Sequence, residues 1–377
     1  MIFCDHCFND SEIVTMICSN SASVTDRCPV CGSEGVHLYD TDSQDVLTPY
    51  FENLLSIYSP ASSLREAHPE AEVRRLPDEL DSRWKIFSPK TSMEQRNAIL
   101  KSICSELYSD MPELFDGEVG IPELYDSRYL EEHALLKNND WDSFVNEIKT
   151  VNRYHSKLIN FEAFRRYCTF ILKEHKAGEL FYRARISEKV GYQPDEMSAP
   201  PPEKSSEGRA NARGITCLYL ASDIDTTLHE VRAGVFDYVS VGRFRLKENI
   251  SLVDFRKITV ISPFVENLDC LDYAINKQYL EKVNAEMSKT LRRSDSPLDY
   301  VPTQYIVDFI KSIEENGEQK YDGIEYNSTT NPDGYNLALF NPDLFECIDV
   351  DVYNIRNLQY DTEPPVCFSV TQERTTD

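Results

Sequence analysis

Apolar residues recur at a helical spacing in the middle of the chain. Apolar side chains lie three and four positions apart between Ile99 and Leu107, and again between Phe161 and Leu172. This spacing places them on one face of an α-helix, and Gly178 is suited to end the second helix. The pattern predicts a mainly helical region over residues 43–178, with both apolar faces packed in a core.

Residues 179–350 show a different pattern, in which apolar and polar side chains alternate. Alternation is the period of a half-buried β-strand. It occurs in six short runs that begin at Leu180, Thr216, Val239, Gly323, Asn336 and Phe345. Helical patterns lie between the runs, at Asp225–Ala233, Leu268–Lys289 and Pro302–Glu315. Together they predict an α+β domain with a mainly non-parallel sheet, followed by a polar tail over residues 351–377.

Four cysteines near the amino terminus form two close pairs. Cys4 and Cys7 are separated by two residues, as are Cys28 and Cys31. Two knuckles joined by a small hairpin would bring four thiolates to the tetrahedral distances that zinc requires. Residues 1–42 hold too few large apolar side chains to fold without such a site. We therefore predict a zinc ribbon with a structural role, in preference to one that contacts nucleic acid or protein.

Charge and cysteine usage limit the partners that the protein can have. Of 377 residues, 39 are Lys or Arg and 64 are Asp or Glu, which gives a formal net charge of −25. Such a surface repels phosphate backbones and anionic lipids, so we expect no bulk binding of nucleic acid. The sequence has no secretion signal and no apolar stretch of about 18 residues. The eleven cysteines are an odd number, which fits a reducing compartment. We expect a cytoplasmic protein without a membrane partner.

Polar side chains that a packed domain does not need cluster at four places in residues 179–350. The clusters are Tyr182-Arg183-Ala184-Arg185, Gly208-Arg209-Ala210-Asn211, Tyr219 to Glu230, and Tyr326-Asn327-Ser328. Arginine matches phosphate oxygens with paired hydrogen bonds, and tyrosine stacks on flat rings. The set predicts an anionic ligand with a sugar and a flat ring, such as a dinucleotide. The glycine motifs of Rossmann and P-loop sites do not occur, so arginines must hold the phosphates.

The order of these residues resembles the RES domain, a family named for its Arg, Glu and Ser. The resemblance covers about residues 179–342. It rests on Tyr182-Arg183, Gly208-Arg209-x-Asn211, Tyr219-Leu220-Ala221-Ser222-x3-Thr226-Thr227-Leu228-x-Glu230, Pro302-Thr303-Gln304-Tyr305, Tyr321-Asp322-Gly323-Ile324 and Ser328. It implies a mixed sheet with helices, related to the ADP-ribosyltransferases. The zinc ribbon and the helical region resemble the amino-terminal part of HEPN/RES members.

The resemblance also implies an activity and a setting. RES members are toxins that break the bond between nicotinamide and ribose in NAD, as glycohydrolases or phosphorylases, and some transfer ADP-ribose to a protein. NAD is therefore the expected substrate, and the acceptor stays open. Many members are held inactive by an Xre-type helix-turn-helix antitoxin, which makes such a protein an expected partner. A homo-oligomer is a further expectation.

Three residues are predicted to carry the reaction. Departure of nicotinamide leaves an oxocarbenium-like ribose, whose positive charge needs a nearby carboxylate, and Glu230 is the predicted group. Arg183 is predicted to bind the pyrophosphate. Ser328 is predicted to hydrogen-bond the nicotinamide amide or the ribose and so fix the reacting conformation.

The remaining predicted residues bind the ligand. Arg209 would share the pyrophosphate with Arg183, and Arg185 would replace Arg183 if strand register places that residue elsewhere. Tyr219 would pack against nicotinamide or ribose. The predicted ligand-binding set is Tyr182, Arg183, Arg185, Arg209, Asn211 and Tyr219.

Two other functions stay open on the sequence. Arg128 and His133 resemble the catalytic pair of HEPN ribonucleases, so a ribonuclease or a zinc-ribbon adaptor that binds nucleic acid is one alternative. A module that senses NAD or ADP-ribose without turnover is the other. The net charge argues against the first of these.

Overall fold

The protein folds as an α+β structure, as predicted. The computed structural model describes residues 1–21, 24–25, 27–137, 140–290 and 296–358. The helices of this part are α1 (Ser11–Asn20), α2 (Thr48–Leu55), α3 (Ala61–Ala67), α4 (Leu76–Trp84), α5 (Met93–Ile103), α6 (Ser105–Asp110), α7 (Pro112–Asp116), α8 (Ser127–His133), α9 (Trp141–Thr150), α10 (Phe161–Phe170), α11 (Ile224–Glu230), α12 (Cys270–Met287) and α13 (Val301–Lys311). None of these described helices has the length and apolar character needed to cross a membrane.

The strands form one large sheet and three small ones. The strands are β1 (Ile2–Cys4), β2 (Val24–Thr25), β3 (Val36–Asp40), β4 (Ser59–Pro60), β5 (Arg74–Arg75), β6 (Glu118–Gly120), β7 (Leu172–His175), β8 (Leu180–Ser187), β9 (Leu218–Ala221), β10 (Tyr238–Leu246), β11 (Ile250–Asp254), β12 (Glu314–Glu315), β13 (Glu318–Gln319), β14 (Gly323–Asn327), β15 (Tyr335–Leu339) and β16 (Phe345–Asn354).

The amino-terminal segment is a small antiparallel sheet with the order β1-β3-β2. The connection between the two cysteine pairs is more than the predicted hairpin, because helix α1 lies within it. Asp10 starts this helix, since its side chain accepts hydrogen bonds from the backbone nitrogens of Glu12 and Ile13. Ile13 and Ile17 bury one face of the helix.

The region before residue 172 is helical, as predicted, and contains one small sheet with the order β4-β6-β5. The helix predicted from Phe161, with Gly178 suited to end it, ends at Phe170. The next residues instead form β7, which pairs antiparallel with β11. The apolar spacing is continuous through Leu172, but pairing with a distant strand overrides this local pattern.

The carboxy-terminal half is built on an eight-stranded sheet with the order β16-β10-β8-β9-β15-β14-β11-β7. The sheet is mixed, because β11 pairs parallel with β14 and the other neighbours pair antiparallel. All six predicted strands are present, whereas β7 and β11 were not predicted. β16 continues to Asn354, past the predicted start of the tail at residue 351. Residues 359–377 of that tail lie outside the described part.

The sheet divides between β8 and β9. These strands share a single pair, Tyr182 with Ala221, and separate beyond it. The backbone nitrogen of Ala184 donates instead to Oγ1 of Thr227 on α11, at 2.8 Å. The strand edges that face this gap are therefore free to line a cavity.

One hydrophobic core joins the three predicted regions. It runs from Phe3 in the amino-terminal segment to Ala338 in β15. The rings of Phe51 on α2 and Phe264 ahead of α12 lie 4.9 Å apart between centroids, across the predicted border at residue 179. The predicted regions thus correspond to different secondary structure and not to separate cores.

A buried network of charged groups lies on one edge of the sheet. Nε2 of His175 is 2.7 Å from Oε2 of Glu325, and Nδ1 is 2.7 Å from Oε2 of Glu179. Arg256 pairs with both Glu325 and Asp254, whose side chains are fully buried. A neutral imidazole has one N–H, so His175 must be an imidazolium to donate to both carboxylates.

We expect the stability of the protein to fall as pH rises through the pKa of His175. Burial alone would lower this pKa, but the hydrogen bonds with Glu325 and Glu179 outweigh it and raise the pKa. Because the pKa of His175 is raised on folding, its contribution to the free energy of unfolding is complete below the pKa of the unfolded chain, about 6.5. The contribution is lost as pH rises above the pKa of the folded protein. Removing one partner of a buried ion pair costs about 3 kcal/mol.

Urea unfolding of the wild type and of His175→Gln at pH 6 and pH 9 measures this contribution. The difference in unfolding free energy between the two proteins should be large at pH 6 and smaller at pH 9. A difference that is equal at both pH values would contradict the charged state of His175.

Candidate active site

A cavity of about 460 Å³ lies where β8 and β9 separate. Side chains from five elements of the carboxy-terminal half line it, among them the predicted residues Arg183, Arg209, Tyr219 and Glu230. Tyr326 on β14 and Asn336 on β15 complete its inner wall. Four residues that are far apart in the sequence therefore face one space.

Glu230 lies at the end of the short helix α11. Asp223 caps this helix, because Oδ1 accepts from the backbone nitrogen of Thr226 and Oδ2 from its hydroxyl. Thr227 in the same helix accepts the free backbone N–H of Ala184 on β8. These contacts hold α11 against the gap in the sheet and direct its last residue into the cavity.

Three donors hold one oxygen of the Glu230 carboxylate. Oε1 accepts from Oγ of Ser328 at 2.6 Å, from Nδ2 of Asn336 at 2.8 Å and from Oγ1 of Thr330 at 3.1 Å. Within the described residues, Oε2 has no hydrogen bond. The carboxylate is thus fixed through one oxygen and presents the other to the cavity.

Arg183 is a half-buried cation. Its Nη1 is buried and has no hydrogen-bond partner in the described part of the chain. Burial lowers the pKa of Arg183 to about 10, and nearby Arg185 contributes to the shift. A buried guanidinium is costly unless it is paired. An anionic ligand in the cavity would provide the missing partner.

The turn Gly208–Asn211, which we call the substrate turn, forms another wall. Tyr219 Oη donates to Oδ1 of Asn211 at 2.6 Å and accepts from the backbone nitrogen of Ala210 at 3.0 Å. Burial raises the pKa of Tyr219 well above its usual value. The hydroxyl is therefore protonated and fully used, and Tyr219 offers the cavity its ring.

Arg209 projects from the substrate turn toward the end of α12. Nη1 donates to the carbonyl oxygen of Glu286 at 2.9 Å, and Nη2 to that of Lys289 at 2.7 Å. Its guanidinium carbon lies 5.7 Å from the ring centroid of Tyr326. Three of its five N–H donors stay available for a phosphate.

Three predicted ligand-binding residues have other contacts. Asn211 is buried, and its Nδ2 donates to the carbonyl oxygens of Ser206, Ala212 and Ile215. The side chain therefore stabilises the substrate turn. Arg185 donates to the carbonyl of Glu196, and its guanidinium lies 4.1 Å from the Tyr192 ring centroid.

Tyr182 packs with Ala184 and Val241 on the opposite face of β8 from Arg183. None of Tyr182, Arg185 and Asn211 lines the cavity. The structure does not bring these three residues into the cavity, and their direct contact with a ligand stays a prediction. Strand alternation separates Tyr182 from Arg183, while local hydrogen bonds occupy the other two.

Two residues that hold Glu230 were missed on the sequence. Asn336 opens an apolar strand, and Thr330 lies in a loop rich in hydroxyl and amide side chains. A buried amide at the start of a strand is a signal, because such a group needs a partner. The sequence does not indicate which partner it finds.

The four paired cysteines form a separate cluster. The Sγ atoms lie 3.8 Å apart for Cys4 and Cys7, 3.5 Å for Cys4 and Cys31, and 3.8 Å for Cys7 and Cys28. Zinc–sulfur bonds of about 2.3 Å in a tetrahedron require sulfurs about 3.8 Å apart. All four sulfurs lie within 4.8 Å of one another, so they can hold a metal ion.

Arg128 and His133 do not form a joint site. Arg128 is exposed and lies 3.6 Å from Glu132. His133 Nδ1 is 2.8 Å from Oδ1 of Asp272 on α12, and its ring stacks on Tyr129. The two side chains point to different partners.

Comparison with known proteins identifies one family. Residues 180–362 match the family model described as the RES domain. No curated protein and no solved structure matches the chain. The matched segment contains every residue that lines the cavity.

Proposed function

Because residues 180–362 match the family model described as the RES domain, we propose that the protein cleaves the bond between nicotinamide and ribose in NAD, as a glycohydrolase or a phosphorylase. One observation carries the proposal. Arg183, whose buried Nη1 has no hydrogen-bond partner among the described residues, and Glu230, whose carboxylate has one oxygen without a hydrogen bond there, face the same cavity. A ligand with an anionic group would pair with Arg183, and positive charge that develops elsewhere on the same ligand would be stabilised by Glu230.

Glu230 supplies the charge that the reaction needs. Nicotinamide leaves as a neutral molecule, and positive charge develops on the ribose carbon. The free oxygen of a fixed carboxylate stabilises that charge in the transition state more than in the ground state. For one well-placed group the effect is about 3 kcal/mol.

Other residues bind the rest of the dinucleotide. Arg183, with Arg209 at the wall, binds the pyrophosphate through paired hydrogen bonds. The rings of Tyr219 and Tyr326 provide flat surfaces for nicotinamide or ribose. Ser328 acts through Glu230, because its hydroxyl hydrogen bonds to that carboxylate.

Incubation of the purified protein with NAD tests the proposal. We expect free nicotinamide to accumulate. With water as acceptor the second product is ADP-ribose and a proton is released, whereas phosphate as acceptor gives ADP-ribose 1″-phosphate. Rates with and without phosphate distinguish the two. Unchanged NAD after long incubation would contradict the proposed function. The alternative function would then be that of a sensor, which binds NAD without turnover.

Transfer of ADP-ribose to a protein is the second outcome of the same experiment. Glu230 is exposed and the cavity is open, which leaves room for a protein side chain as acceptor. Label from NAD on protein, in amounts that match the released nicotinamide, would identify a transferase. An RNA-cleaving activity has no support from the geometry of Arg128 and His133.

The setting of the activity is part of the proposal. We propose inhibition by a small helix-turn-helix antitoxin and a role as a toxin, and both are supported by the resemblance to the family alone. The ten described cysteines are free thiols, which fits the cytoplasm. Zinc is the metal that we propose for the cysteine cluster, with a structural role, because four thiolates form a closed site.

A further inference from the structure

Gln304 fastens the substrate turn to helix α13. Its Nε2 donates one hydrogen to the carbonyl oxygen of Gly208 and the other to that of Asn211, both at 2.9 Å. A side-chain amide has two N–H donors, so both are used on one turn. The two carbonyls belong to the first and last residues of the turn.

The turn is closely fitted to its surroundings. A Cβ atom at position 208 would lie 2.6 Å from Oη of Tyr219. The backbone is therefore so close to the Tyr219 side chain that only glycine fits at this position. The backbone nitrogen of Gly208 donates to the carbonyl of Asn211 at 2.9 Å. A shift of the turn would therefore move Gly208, Arg209 and the Tyr219 ring together.

We propose that Gln304 is a positioning residue for the dinucleotide, a role that rests on the proposed function. It does not line the cavity, and it acts through the substrate turn, which does. Without Gln304 the turn loses two hydrogen bonds, and the carbonyl of Gly208 loses its partner, whereas that of Asn211 keeps the one from the Gly208 nitrogen. Arg209 and Tyr219 then bind the ligand from a less defined position, while Glu230 on α11 is unaffected.

The same contact connects the amino-terminal helices to the site. Phe309, on α13, has its ring centroid 4.2 Å from that of Phe161 on α10. Tyr305, next to Gln304, lies 5.7 Å from Phe144 on α9 and 5.8 Å from Phe161. The helical region therefore supports the helix that holds the substrate turn.

Gln304→Met tests the proposal, since methionine has nearly the same volume and no hydrogen bonds to offer. We expect KM for NAD to rise about tenfold and kcat to stay within about threefold, because the loss of about one net hydrogen bond falls on binding. Hydrogen exchange should quicken at the amides of the substrate turn. Gln95→Met is the matched control.

Gln95 also lies on a helix and donates from Nε2 to a backbone carbonyl, that of Val30 at 2.7 Å. Its replacement should lower stability and leave KM and exchange in the turn unchanged. The proposal would be overturned if Gln304→Met had the KM of the wild type and the same rate of hydrogen exchange in the substrate turn. It would also be overturned if the variant lost only kcat. If the wild type consumes no NAD, the proposed function fails, and the exchange measurement still decides whether Gln304 holds the turn.

Discussion

Glu230→Gln should lose NAD turnover by a factor of about 10² to 10³ while the protein stays folded, as expected when one aligned electrostatic group is removed. Glutamine has the shape of glutamate. Its amide oxygen can accept the same three hydrogen bonds that Ser328, Asn336 and Thr330 give to Oε1. The NH2 group then faces the cavity in place of the free carboxylate oxygen. The developing cation then faces a neutral amide, whose hydrogens carry partial positive charge and do not stabilise it.

The release of nicotinamide measures this loss, and thermal unfolding checks the fold. Asp225→Asn is the matched control, because it removes one negative charge from the same helix at an exposed position, where the carboxylate lies 3.8 Å from Nε2 of His229. It should retain wild-type turnover. NAD affinity of Glu230→Gln should change little, since Arg183 is untouched. Full turnover in Glu230→Gln would remove the carboxylate from the mechanism.

The local pattern of the chain predicted most elements of the carboxy-terminal half. Strands β10 and β14 begin within a residue of their predicted starts at Val239 and Gly323, because alternation is a local property. β7 was missed, since Leu-Lys-Glu-His continues a helical pattern and becomes a strand only by pairing with β11. Strand pairing depends on residues far away, which periodicity cannot show.

The composition of the site was easier to predict than its geometry. Arg183 and Glu230 were predicted from the polar clusters and from the resemblance to the RES domain, and both line one cavity. Arg185 has the same residue type as Arg183 and the same strand face, yet it stacks on Tyr192. The difference arises from the gap between β8 and β9, which begins at Tyr182 and has no signature in the sequence.

Removal of the metal that we propose for the cysteine cluster should unfold the amino-terminal segment and weaken the whole protein. Structural zinc in small sites contributes about 10 kcal/mol of apparent free energy, which is comparable to the total stability of a domain. Cys4 and Cys7 are buried members of the common core. Loss of the cluster therefore exposes part of that core.

Elemental analysis and thermal unfolding of wild type and Cys28→Ser check this expectation. We expect about one zinc per wild-type chain, as a closed four-thiolate site requires, and a large fall in Tm for Cys28→Ser or after strong chelation. Cys18→Ser is the control, because Cys18 lies near Asp5 and outside the cluster. It should keep both metal and Tm. A wild type that holds no metal and is indifferent to chelation would show that the four thiols stabilise the segment by packing alone.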